Sequence, residues 1–134
     1  MAKLGYKAML EAATREIENI PAAEAVKHLD DPTVQFVDLR DPRELEREGM
    51  IPGAFHAPRG MLEFWIDAES PYHKAVFDSG KKFIFYCASG WRSALAAQTA
   101  QNMGLKPVAH IHGGYTAWKE AGGKTVAKPS KGGG

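Results

Sequence analysis

The chain holds one thiol. Cys87 sits in FIFYCASGWRSALAAQ, between an apolar run and a helix-forming run, with Arg92 five positions on. A free thiol titrates near about 8.5, and backbone N–H groups gathered in a tight loop, or the N-terminus of a following helix, stabilise the attacking anion. The segment CASGWRS carries residues for both. Ala88 and Ser89 are small, Gly90 takes left-handed backbone so that successive amides turn inward, and Arg92 closes the ring with a guanidinium. Ser93 is placed to help start the helix, and Trp91, a large aromatic within the loop, is expected at its rim, shielding the sulfur or meeting a donor. A buried small hydrophobe is the usual fate of free cysteine, but glycine at +3 and arginine at +5 in a strand-loop-helix setting point to a nucleophile.

Two chemistries use a thiolate in an amide cradle. Phosphoryl transfer must hold a whole tetrahedral oxyanion, whereas sulfur transfer need hold only one added sulfur atom. Cys87 and Arg92 are separated by Ala88, Ser89, Gly90 and Trp91, one residue fewer than in the Cys-x5-Arg loop of cysteine phosphatases, and a residue is worth up to roughly 3.5 Å of contour. The shorter loop favours sulfur.

These side chains need a scaffold that brings them together. VQFVDL and KFIFYC are apolar on both faces, as expected of buried parallel strands, and PVAHIH reads as a third strand. PRELERE, SALAAQTAQNM and YTAWKEAG supply the helices between them, with Gly104 and Gly122 as stop signals. Two further helices, YKAMLEAATREIENI and PAAEAVKHL, precede the first of these strands. Alternating strand and helix imply an α/β domain, a mostly parallel sheet with helices on both faces, whose ligands bind outside the carboxyl ends of the strands. Cys87 ends one strand, Asp38 and Arg40 another, and His112, Gly113 and Gly114 a third.

With 134 residues the chain fits one domain. A lone cysteine forms no internal disulfide, and charges early in the chain interrupt any apolar leader, so a reduced, cytoplasmic protein with no membrane span is expected. Residues 1–67 hold eight basic against thirteen acidic residues and residues 68–134 nine against three. The half with Cys87 is therefore basic, either to steer a small anion or because Lys124, Lys128 and Lys131 solubilise a tail. No basic stripe with interleaved aromatics suggests nucleic acid.

FVDLRDPRELEREGMIPGAFHAP, YCASGWRSALAA and HGGYTAWKEAGG together resemble, in order, the signatures of the rhodanese family, single-domain sulfurtransferase type. The resemblance covers a domain over 20–123 and implies a central sheet of about five strands; the helical spacing before it reads as an extension over 1–19, and the Gly-, Lys- and Pro-rich end AKPSKGGG as part of a tail over 124–134 expected to be disordered. The resemblance also implies that Cys87 takes sulfur from a donor such as thiosulfate, becomes a persulfide, and passes the outer sulfur to cyanide or a thiol. The loop from Ala88 to Arg92 would hold the persulfide, and no metal or organic cofactor is implied. Thiosulfate-using members often carry a cation just after the cysteine, where this chain has Ala88 and Ser89, so a protein persulfide joins the small anionic donors. Two other readings stand beside the enzyme: a sulfur-carrier or docking module with little turnover, and a cysteine phosphatase or arsenate reductase.

Other residues carry weaker expectations. Asp38 and Arg40 read as a supporting charged pair that fixes the loop after VQFVDL. Arg59 borders the pocket, to bind a sulfonate or an acidic partner, or is merely solvated. His110 and His112 alternate as zinc ligands would but lack a third ligand at recognisable spacing, so metal is not expected; His112 reads as a pocket-mouth residue. Phe64, Trp65 and Tyr72 lie in the long connection over 59–80, as a wall, a docking surface, or a short helix packed on the sheet. Trp118 reads as the anchor of the last helix. Oligomeric state is left open.

Overall fold

The structure, a computed structural model, describes residues 4–129. Helix α1 (Tyr6–Glu16) leads through strand β1 (Glu18–Ile20) to helix α2 (Ala22–Val26), and β2 (Val34–Asp38), α3 (Pro42–Glu48) and β3 (Phe55–His56) follow. A 3-10 turn over Arg59–Met61, helix α4 (Leu62–Ile66) and a second 3-10 turn over Ala75–Asp78 fill the long connection to β4 (Lys82–Tyr86). Helix α5 (Trp91–Asn102), β5 (Val108–Ile111) and α6 (Gly114–Glu120) complete the order. The five strands form one sheet in the order β1-β5-β4-β2-β3, and every pairing is parallel.

Both faces are covered, which is why β4 is apolar from Phe83 on and its neighbours largely so. Phe83 and Phe85 of β4 enter one core with Ala13 of α1, Ile17 just after it, Leu62 of α4, and Ala94, Ala97 and Ala100 of α5. The alanines let α5 lie close against the strands. Ile84 and Tyr86 face the opposite core with Ala22 and Ala25 of α2 and Tyr115 and Trp118 of α6. Trp118 is fully buried, edge-on to Phe36 at 5.4 Å, and its indole N–H donates to Lys124 O at 2.8 Å. In the long connection Trp65 packs edge-on against Phe55, while Phe64 and Tyr72 are exposed.

Two features differ from the sequence expectation. The pattern predicts two helices before the first strand, but β1 lies between α1 and α2, its Glu18, Asn19 and Ile20 opposite Ala109, His110 and Ile111. Three residues on a sheet edge are too short to show a period, and only the partner strand defines them. The boundary drawn at residue 20 thus falls inside a strand. The second difference concerns the tail expected to lack structure from residue 124. Val126 exchanges both backbone hydrogen bonds with Met50, at 2.8 and 2.9 Å, so the chain is held at least that far; residues 130–134 lie outside the described residues.

Candidate active site

At the end of β4 the sulfur of Cys87 turns inward beneath the loop, and the residue is 1% exposed. Gly90, at φ +104°, caps α5 and swings its N–H onto Sγ at 3.1 Å, and Ser93 N–H points to the same atom at 3.4 Å. The loop carbonyls are drawn the other way. Tyr115 N–H donates to Cys87 O at 2.8 Å and Thr116 N–H to Ala88 O at 3.2 Å, so the first turn of α6 holds the carbonyls outward and leaves the amides facing in. Glycine is required where the two segments touch. A Cβ on Gly114, at φ +63°, would stand 2.5 Å from Cys87 O and 2.7 Å from Ala88 O.

Arg92 is tied down rather than free over the sulfur. Its guanidinium binds Glu44 through two bonds of 2.7 and 3.0 Å, a bidentate clamp across 48 positions of sequence. Glu44 belongs to the capping box that opens α3, accepting also from Asp41 N–H at 3.1 Å. The hydrogen bonds from Arg92 hold its carboxyl well below the usual range, at about 2. Ser93, expected to start α5, is instead its third residue, because Gly90 supplies the cap. Its hydroxyl lies 3.6 Å from Sγ and 3.3 Å from Gly90 O.

The remaining predicted residues divide. Asp38 and Arg40 are both buried and doubly bonded, at 3.0 and 2.8 Å, and Arg40 lies 4.3 Å from the centre of the Tyr115 ring and donates to Gly49 O at 2.7 Å. They brace the turn after β2 and make no hydrogen bond to the sulfur. Arg59 pairs with Glu63 at 2.8 Å, one helical turn along its own segment. Trp91 is 57% exposed at the rim and packs on Tyr6 of α1 at 5.3 Å. A cavity of about 210 Å³ opens beside the loop, lined by Leu10 and Thr14 of α1 with Ser89, Gly90, Trp91 and His112. Cys87, buried beneath the turn, does not line it. His110 is buried and bonded to Ser93 and Asn19, and among the described residues no cluster of three metal-ligating side chains occurs.

Residues 21–121 match the rhodanese-like domain. The chain belongs to that family. A Rhodopseudomonas palustris protein of unknown function, described as a possible tyrosine phosphatase, superposes with a TM-score of 0.91 at 56% identity, covering 94% of this chain and 97% of its own. The Wolinella succinogenes polysulfide-sulfur transferase homodimer gives a TM-score of 0.69 at 25% identity, with 98% of each chain covered. Among curated relatives, a mouse thiosulfate sulfurtransferase/rhodanese-like domain-containing protein is 26% identical over 63% of this chain and 57% of its own length. In this chain Cys87, Gly90, Arg92 and Ser93 stand about one turn. Sequence reasoning put Gly114 at a strand end facing the crevice, without its contact with the Cys87 turn, and missed Glu44 and His110 as a partner of Ser93. Only Glu44 left a local trace, as the third residue of a capping box after Asp41.

Among the described residues no helix is long and apolar enough to cross a membrane.

Proposed function

We propose that the protein is a sulfurtransferase working through a persulfide on Cys87. The observation that carries this reading is the closed turn: two backbone amides reach Sγ, and only four residues precede Arg92. In the first half-reaction the Cys87 thiolate attacks the outer sulfur of a donor, a new S–S bond forms, and the donor's own S–S bond breaks. Thiosulfate would leave as sulfite, and a protein persulfide as its thiolate. In the second half an acceptor thiolate or cyanide attacks the outer sulfur, and Cys87 departs as the thiolate. Cys87 is the sole cysteine, so no resolving thiol exists within the chain and the acceptor must come from outside.

The loop amides hold the anion, and Arg92 with Glu44 fixes the start of α5 while leaving positive field beside the sulfur. Trp91 and the α1 wall border the cavity beside the loop. Ala88 brings no cation next to the sulfur, which favours a donor presented by a protein over free thiosulfate. The test is mass spectrometry of protein exposed to thiosulfate and, separately, to a cysteine-desulfurase persulfide. One added sulfur atom on Cys87, absent in Cys87→Ser and discharged repeatedly by thiol or cyanide, is expected. No adduct with either donor sinks the proposal, one slow discharge per protein turns it into a carrier, and Cys87-dependent hydrolysis of an aryl phosphate makes it a phosphatase.

A further inference from the structure

Behind the sulfur runs a line of hydrogen bonds that the two half-reactions do not use. His110 is 3% exposed and stands opposite Asn19 in the β1–β5 register. The Asn19 amide nitrogen donates to Thr14 O at 2.8 Å and Ile17 O at 3.1 Å, which leaves Oδ1 facing His110 Nε2 at 2.8 Å. An amide oxygen only accepts, so Nε2 carries the ring proton and Nδ1 is a bare lone pair. Ser93 Oγ is 2.9 Å from Nδ1 and gives it the hydroxyl proton. With its single hydrogen committed, Oγ turns only lone pairs toward Sγ, 3.6 Å away.

We infer that His110, held in one tautomer by Asn19, is a positioning residue that turns the Ser93 hydroxyl proton away from Cys87. An acceptor beside S–H favours the thiol, whereas a donor there would favour the thiolate. The loop amides alone are then left to stabilise the anion, and the resting cysteine is less reactive than its turn would make it. The arrangement differs from a Cys–His ion pair, in which an imidazolium adjoins the sulfur. Burial, and then the charge of His112, hold His110 down at about 4, so the ring is neutral at pH 7 and a poor acceptor for the thiol proton. Of the charged groups around the line, Arg92 of α5 acts on the sulfur from its clamp on Glu44, and His112, just past β5, acts on His110. From α1 and β1 the line meets only the neutral Thr14 and Asn19.

The inference rests on Cys87 being the reacting thiol of the proposed transfer, but its readout needs no sulfur donor. The pH dependence of iodoacetamide alkylation of the full chain reports the one cysteine. In His110→Phe the freed hydroxyl has two acceptors, Gly90 O at 3.3 Å and the sulfur at 3.6 Å, and the charge of the thiolate draws it to the sulfur, so the midpoint should move to lower pH by about one unit, about tenfold more thiolate on the acid side. Asn19→Ala keeps the ring but frees its tautomer, and should shift the midpoint the same way. Added to Ser93→Ala, neither change should shift it further. A shift to higher pH, which would make His110 a base, overturns the inference, as does an unmoved midpoint in both variants or a shift that persists without Ser93. If His110→Phe does not fold, Asn19→Ala decides alone. An acid-side shift in a protein that forms no persulfide would sink the sulfurtransferase proposal and leave this inference standing.

Discussion

A methyl group added at Gly114 should unseat the Cys87 turn from α6. At φ +63° an alanine pays a left-handed backbone cost of roughly 1 kcal/mol before any contact is counted. Its Cβ would meet Cys87 O at 2.5 Å, whereas ordinary contact begins at 3.4 Å, so the two segments must part by about 0.9 Å. Taken up along the Tyr115 N–Cys87 O bond, that stretches 2.8 Å to about 3.7 Å, beyond hydrogen-bonding range. Loss of this bond and weakening of its Thr116 neighbour cost about 1 kcal/mol each, for a total of about 2–3 kcal/mol and a fall in Tm of roughly 6–12 °C. Gly122 provides the control: it too has a positive φ, +84°, but a Cβ there meets nothing within 4 Å. Gly122→Ala should therefore show only the backbone cost, about 1 kcal/mol. Thermal unfolding of both variants by circular dichroism, with the rate of persulfide formation, makes the comparison. A Gly114→Ala protein as stable as Gly122→Ala, or loading sulfur at the wild-type rate, would refute the reasoning.

Glu44→Gln should release Arg92 at a cost of about 1–2 kcal/mol, well short of a buried pair because the arginine side chain is 41% exposed. Because Arg92 lowers the Glu44 carboxyl to about 2, the contribution is complete above the ordinary carboxylate range and fades as pH falls toward 2; urea titrations of both proteins at pH 7 and pH 3 should show the gap closing. Asp38→Asn leaves the buried Arg40 guanidinium without its countercharge and should cost about 3–5 kcal/mol by urea unfolding. Trp91→Ala, at an exposed rim position, should change stability by under about 1 kcal/mol yet alter donor affinity or persulfide lifetime. Constancy of both would exclude a rim role.

What could be read from sequence followed from how local its cause is. Runs such as KFIFYC reveal central strands because both faces of β4 are buried, and Gly104, at φ +99°, follows the end of α5 where a stop signal belongs. β1 and β3, three and two residues long, are defined by partners far along the chain and show no pattern of their own. The same division holds at the site. Cys87, Gly90 and Arg92 stand together in one loop, so spacing revealed them. Glu44 reaches Arg92 across 48 positions and Asn19 reaches His110 across 91, and no spacing rule spans such distances. His110 and His112 alternate as ligands would, but the first faces Ser93 and the second lies at the exposed end of the strand.

α1 and β1 precede the stretch that matches the family, yet α1 forms one wall of the cavity, and its Glu16 accepts from Gln98 and Gln101 of α5 at 3.0 and 2.8 Å. The cavity wall and the turn that holds the sulfur thus come from different pieces of chain. The turn around Cys87 is constrained by backbone demands that few substitutions meet, whereas α1 supplies none of the amides that reach the sulfur and bears on them only through α5 and Asn19. A truncation begun at residue 21 would keep Cys87 and its turn in the sequence yet remove one wall of the cavity, the edge strand β1 and the Asn19 partner of His110, so the folded unit is larger than the stretch that matches the family.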